Sequence, residues 1–272
     1  MQKGRNTEGV SVNRFIDKGG GAVNVPAGNL DRNTEGVSTL AVNQYVAKVF
    51  GWMFIGLLVT CLSTAGIFAM MGSEWFADIV YGLTQIIIVV FIVELIMVYF
   101  ISSRINKMNP ALTVALYLIY AALNGLTVGF FAVIYARQTA ILAFGLTAVC
   151  FGIMALYGFF TQADLTKAGS LLMMGLIGII IMSVVNLFLG SGLLDYLICI
   201  AGLFIFLGLT AYDTKKIKTV YAPAALQAES TGEYSGQVFS SNLAISGALA
   251  LYLDFINLFL FIIRLLGGRG RS

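Results

Sequence analysis

"NLAISGALALYLDFINLFLFIIRLLGG", residues Asn242 to Gly268, is an apolar run of 27 residues broken near its middle by an acidic side chain, Asp254. A helix needs about 20 apolar residues to cross the hydrocarbon core of a bilayer, so the run is long enough to span one. A lone aspartate at the centre of such a helix costs roughly 2.5 to 3.5 kcal/mol on insertion scales, and its side chain must face a bundle interior, a partner or water. Leu251 and Leu258, one turn away, offer no hydrogen bond, whereas Asn257 at i+3 lies on the same face and is the supporting polar group. This segment is therefore expected inside the protein, with Asp254 at a functional centre.

The composition sets the class. Of the 272 residues, 59% are hydrophobic and 11% charged, and the mean hydropathy is +0.91. These values lie outside the range of soluble domains and define an all-α, polytopic integral membrane protein. A net charge of +3, with the basic residues scattered between spans, argues against a nucleic-acid partner. Cys61, Cys150 and Cys199 each fall inside an apolar span without CxxC spacing, which points to packing and not to a disulfide or metal. There is no histidine. Histidine-dependent triads and histidine-ligated metals are thereby excluded, and proton sensing near neutrality falls to carboxylates.

In chain order, residues 1–45 are polar, contain the string "RNTEGVS" twice (from Arg5 and from Arg32), and read as a disordered cytoplasmic tail. No signal peptide precedes the first span. Residues 46–268 form a transmembrane domain and residues 269–272 a short C-terminal tail. Seven spans are predicted, at about 46–71, 79–101, 111–134, 140–160, 171–189, 193–212 and 243–266. Pro26, Pro110 and Pro223 all lie outside them, so no proline-broken helix is signalled. Gly125 and Gly129 in the third span, and Gly175 and Gly178 in the fifth, mark close helix packing. With the N-terminus cytoplasmic, that side collects twelve lysines and arginines against four on the other, and the short loops alone give six against one. This supports an N-terminus inside and, with seven spans, a C-terminus outside, the alternative being a re-entrant seventh segment that returns its tail to the cytoplasm.

Few ionisable residues lie within or at the ends of the spans: Glu94 in the second, Arg104 just after it, Asp213 closing the sixth and Asp254 in the seventh. The second and sixth helices both run inward, so Arg104 and Asp213 finish at similar depth. Asp254 lies about 16 Å along the seventh helix from Leu243. An arginine and two aspartates thus converge toward one region. Lys215, Lys216 and Lys218 read as positive-inside anchors. Two neighbouring carboxylates cannot both ionise freely, so such a pair senses protons, and its hard oxygens suit calcium or sodium better than zinc or copper.

The strings "LTAYDTKKIK" (residues 209–218) and "LYLDFINLFLFIIRLLGG" (residues 251–268) strongly resemble the two signature segments of the Bax inhibitor-1 family, in its bacterial branch that includes the YccA and YetJ proteins. The resemblance covers roughly residues 46–268 and is most specific in the last two helices. It implies two three-helix units around a central seventh helix, and a pH-sensitive calcium leak governed by an aspartate pair that falls here on Asp213 and Asp254. It also implies an arginine at the cytoplasmic end of the second helix that latches the pair, for which Arg104 is the candidate, with Glu94 a supporting polar residue. The connection over residues 219–241 is longer than in bacterial relatives.

The expected function is accordingly a calcium or cation leak channel gated by protonation of Asp213 and Asp254, with these carboxylates also the expected calcium ligands. The latch is expected to hold the wild type closed at mildly alkaline pH and to fail on acidification. No cofactor is expected beyond calcium as permeant or weakly bound ion; the partners are calcium, protons and the bilayer, in a bacterial inner membrane. The alternative is a regulatory membrane protein that binds an integral protease or a cell-death or stress factor without conducting. An enzyme is not expected: there is no GxGD and no Ser/His pair. A retinal protein is not expected either, since it needs a lysine in the seventh helix and none occurs after Lys218.

Overall fold

The computed structural model describes residues 12–16, 22–26, 39–70, 73, 76–105, 108–135 and 137–267. Within the N-terminal segment read as disordered, strands β1 (Val12–Ile16) and β2 (Ala22–Pro26) pair antiparallel, Arg14 opposite Asn24. Both copies of "RNTEGVS" lie outside the described residues.

Seven long helices follow: α1 (Thr39–Ala69), α2 (Phe76–Arg104), α3 (Pro110–Ile134), α4 (Arg137–Phe160), α5 (Thr166–Leu189), α6 (Gly192–Lys216) and, after a short helix α7 (Ala222–Ser230), α8 (Tyr234–Gly267). Their ends have local causes. Pro110 opens α3, where a missing N–H costs nothing, and the Asn109 carboxamide oxygen accepts from the Ala111 N–H at 2.9 Å. Gly190, with φ of +60°, stops α5 in the left-handed region, and Ser191 caps α6. The largest departure from the sequence reading is α7. Residues 217–221 continue α6 as a π-helical turn, and Pro223 sits in the first turn of an alanine-rich helix instead of a plain connection.

The packing is a two-fold repetition around α8. In the first unit α3 packs on both α1 and α2; in the second, α6 packs on both α4 and α5. Helices α1, α3, α4 and α6 then all contact α8, and α2 and α5 lie outermost. Burial agrees with this arrangement: 61% of the most apolar stretch of α8 is buried, against 6% for α5, whose Leu187 and Phe188 point outward. Helix α8 buries polar side chains, among them Asn242 and Asp254, as a helix shielded from lipid by its neighbours can. Six of the helices, counted among the described residues, are long and apolar enough to cross a membrane, and α2 with 29 residues is the remaining span. Of the glycines read as packing points, Gly125 holds α3 against α1: a Cβ there would lie 2.7 Å from the Thr60 carbonyl oxygen. Gly175 faces Ile205 across the α5–α6 contact, whereas Gly178 faces open space.

Candidate functional site

Helices α6 and α8 run antiparallel, with Gly202 against the Phe261 ring and Gly247 beside Ile217. That register sets Asp213 opposite about residue 250, roughly one turn or about 6 Å from the level of Asp254. Asp254 is buried, 4% exposed, and its Oδ2 has no hydrogen-bond partner among the described residues. The charge of Asp213 acts on it. Asp213 is half-buried, and the neighbouring cation that acts on it is Lys216, one turn further along α6. Thr214, also fully buried, leaves its hydroxyl without a partner, so unsatisfied oxygens occur on both helices. Buried polar groups are rarely left unpaired, because each costs about 1–3 kcal/mol, so the unpartnered carboxylate oxygen on the central helix is kept at a cost to stability. Behind Asp213, Gly158 of α4 lets the two backbones touch: a Cβ at 158 would strike the Ala211 carbonyl oxygen and lie 2.8 Å from its Cα.

The lysines after Asp213 do more than anchor. Lys215 donates to the Ala163 carbonyl, and Lys218 donates to the Phe159 carbonyl at 2.8 Å with its ammonium 4.1 Å from the Phe159 ring centre. They fasten the α4–α5 connection to the end of α6, satisfying carbonyls at and beyond the C-terminus of α4. Lys216 lies 5.3 Å from the Tyr221 ring centre. Beyond them α7 packs against α8 and α1, and the Ser240 hydroxyl donates to the Glu229 carboxylate at 2.6 Å. A helix therefore stands on the face where Asp213 ends α6. The sequence signal for it was available in "APAALQAES", a proline followed by strong helix formers.

Arg104 is exposed and makes no ion pair among the described residues. The Asn242 amide donates to the Met108 carbonyl at 2.8 Å, tying α8, about two turns after its start, to the α2–α3 connection, about 18 Å along α8 from Asp254. The latch contact is thus not formed in this structure, and Lys216 supplies the local positive charge. Asn257 donates to the Leu253 carbonyl of its own helix at 2.8 Å and does not reach Asp254.

Glu94 belongs to a separate buried cluster. Its carboxylate accepts from Thr127 Oγ1 at 2.7 Å and from Asn124 Nδ2 at 3.4 Å, and Asn124 Nδ2 also reaches the Tyr120 hydroxyl at 3.4 Å. Tyr120 packs edge-on against Tyr252 of α8, whose hydroxyl is 2.6 Å from Thr60 Oγ1 of α1. Glu94 thereby welds α2 to α3, as intramembrane polar groups commonly do. At the opposite end of the α6–α8 pair, Arg264 pairs with Asp195. An acidic residue in the first turn of α6 and a basic one in the last turn of α8 were the signal for that pair.

Among the described residues no three or more His, Cys, Asp or Glu side chains gather. Calcium takes six to eight oxygen ligands, more than the carboxylates of Asp213 and Asp254 supply by themselves.

An all-α membrane bundle with two three-helix units around a carboxylate-bearing central helix is the class that fold and site define. The model for "Inhibitor of apoptosis-promoting Bax1" matches residues 42–271. A Borreliella burgdorferi protein is 38% identical over 240 residues, covering 88% of this chain and 98% of that protein. The inner membrane protein YbhL of Escherichia coli K12 is 37% identical over 235 residues, covering 83% and 92%. A membrane protein of Streptococcus pyogenes serotype M1 is 35% identical over 231 residues, covering 85% and 95%. The chain belongs to the Bax inhibitor-1 family.

Proposed function

We propose that this chain is a pH-sensitive calcium leak pathway of the bacterial inner membrane, with its N-terminus cytoplasmic, in which protonation of the Asp213–Asp254 pair controls opening. The observation that carries this reading is Asp254: a buried carboxylate on the central helix, with an unpartnered oxygen and a second carboxylate acting on it. A carboxylate with no bond to make inside the protein is available to a passing cation or proton. Lys216 supplies the counter-charge and α7 the cytoplasmic cover in this reading, and ionisation of Asp213 attracts Lys216, one turn further along α6. Acidification removes that attraction and loosens the covered end of α6. Calcium and protons then compete for the same oxygens. Calcium is cargo here; no resident cofactor and no catalytic step are part of the proposal.

The test is calcium efflux from proteoliposomes. Wild-type protein is expected to leak calcium in a pH-dependent manner and Asp254→Asn, which keeps the shape and loses the charge, to abolish that dependence; an unchanged pH profile in Asp254→Asn overturns the assignment. The family description, an inhibitor of a pro-apoptotic factor, favours a second reading in which the chain binds another membrane protein, such as an integral protease or a cell-death factor, without conducting. That reading expects no efflux above protein-free vesicles.

A further inference from the structure

Helices α1 and α4, the first helices of the two units, both pack on α8 but not closely on each other. The seam between them widens, at the end where α4 begins, into a laterally open crevice of about 290 Å³. Its walls include Cys61, Ala65 and Phe68 of α1 and Ile141 of α4, and its floor is Phe255 and Phe259 of α8. The hydroxyls on its lining are committed elsewhere: Thr60 Oγ1 donates to the Ala121 carbonyl at 2.9 Å and Thr64 Oγ1 to the Gly125 carbonyl at 2.8 Å. The crevice therefore offers water almost nothing to bond, and a buried water needs two to four polar partners.

One charged residue lines it, Arg137, the first residue of α4. Arg137 is exposed and, among the described residues, has neither an ion pair nor a hydrogen bond, whereas the other arginine described near that end of the bundle, Arg264, is held by Asp195. An apolar slot with one guanidinium that is unpaired among the described residues is complementary in shape and charge to an acyl chain carrying an anionic headgroup, and Arg is the side chain best suited to bind phosphate. We propose that this crevice is a phospholipid-binding site: one acyl chain lies between α1 and α4 over Phe255, the neighbour of Asp254, and Arg137 binds the phosphate, with preference for a net-negative headgroup. The lipid then fills the seam that the two units leave open.

The experiment is native mass spectrometry of the full chain in detergent, titrated with an equimolar mixture of phosphatidylglycerol and phosphatidylcholine. Wild type is expected to retain one phosphatidylglycerol in clear preference to phosphatidylcholine. Arg137→Gln is expected to lose that preference and about tenfold in retention of the anionic lipid, the size of a lost charge-assisted contact. Ala65→Phe, which fills the slot from an exposed position, is expected to retain neither lipid while its circular dichroism stays that of wild type; should it fail to fold, Ile141→Trp on the facing wall replaces it. Equal retention of the two lipids by wild type, or wild-type retention in Arg137→Gln or in the filled variant, overturns the proposal.

Discussion

Replacing Asp254 by leucine removes the one acidic group of α8 that the fold buries without satisfying. Its Oδ2 has no partner and its side chain is 4% exposed, so no solvent contact compensates. An unsatisfied buried polar group costs about 1–3 kcal/mol, and leucine, close to aspartate in shape, removes that cost with little overpacking. Asp254→Leu is therefore expected to be more stable than wild type by about 1–3 kcal/mol, roughly a 5- to 150-fold shift in the folded-to-unfolded ratio. Asp254→Asn, which keeps a polar group in the same place, should stay within about 1 kcal/mol of wild type. Both variants should lose the pH dependence of the leak, a separation of stability from activity characteristic of functional sites. The assay is equilibrium unfolding in mixed micelles with increasing SDS fraction, followed by circular dichroism, alongside calcium efflux. A loss of about 1 kcal/mol or more in Asp254→Leu would refute the reasoning, because it would mean that the carboxyl makes a net favourable contact.

Gly158→Ala is expected to destabilise by about 1–3 kcal/mol, since the new Cβ meets the Ala211 backbone, which cannot yield as a side-chain tip would; the same SDS titration checks it. Glu94→Ala should cost about 1–3 kcal/mol by stranding Thr127 and Asn124, and Glu94→Gln should recover most of that loss in the same assay because the carboxamide oxygen still accepts. At the α4–α5 connection, hydrogen bonds from the Thr166 hydroxyl and amide hold the exposed Asp164 carboxyl below its ordinary range. A depressed value means that the contact is present above about pH 4 and is lost as pH falls through the lowered value. Amide exchange at Thr166 should accordingly quicken, relative to neighbouring helix amides, only below about pH 4, and Asp164→Asn should remove that acid-dependent step.

The seven spans were legible because a lipid environment makes length and apolarity sufficient signals. Each long helix lies within a few residues of its expected place, with extensions where polar residues continue the helix beyond the apolar core, as at residues 39–45 and 234–242. Asp254 was legible for the same reason: its cost in an apolar run shows without coordinates. The partners were not. Whether Arg104 or Lys216 faces Asp213 depends on helix rotation and on the Asn242–Met108 tie, neither of which leaves a periodic trace in the sequence. Helix α7 was obscured by its composition: a nine-residue helix with no long apolar run has no hydropathy signature, and only its proline and alanines announce it. Glu94 was seen as a charge within a span, but its bonding to Thr127 and Asn124 required the α2–α3 contact to be known.

The central claim is that the carboxylate pair, acting as one unit, sets the pH response of the leak. Calcium efflux from proteoliposomes, measured against pH for wild type and for Asp213→Asn, tests it most directly. The expected result is a wild-type leak that rises as pH falls from mildly alkaline values, and a midpoint that moves when Asp213 is neutralised, since the charge acting on Asp254 is then gone. A wild-type midpoint unchanged in Asp213→Asn would contradict the account.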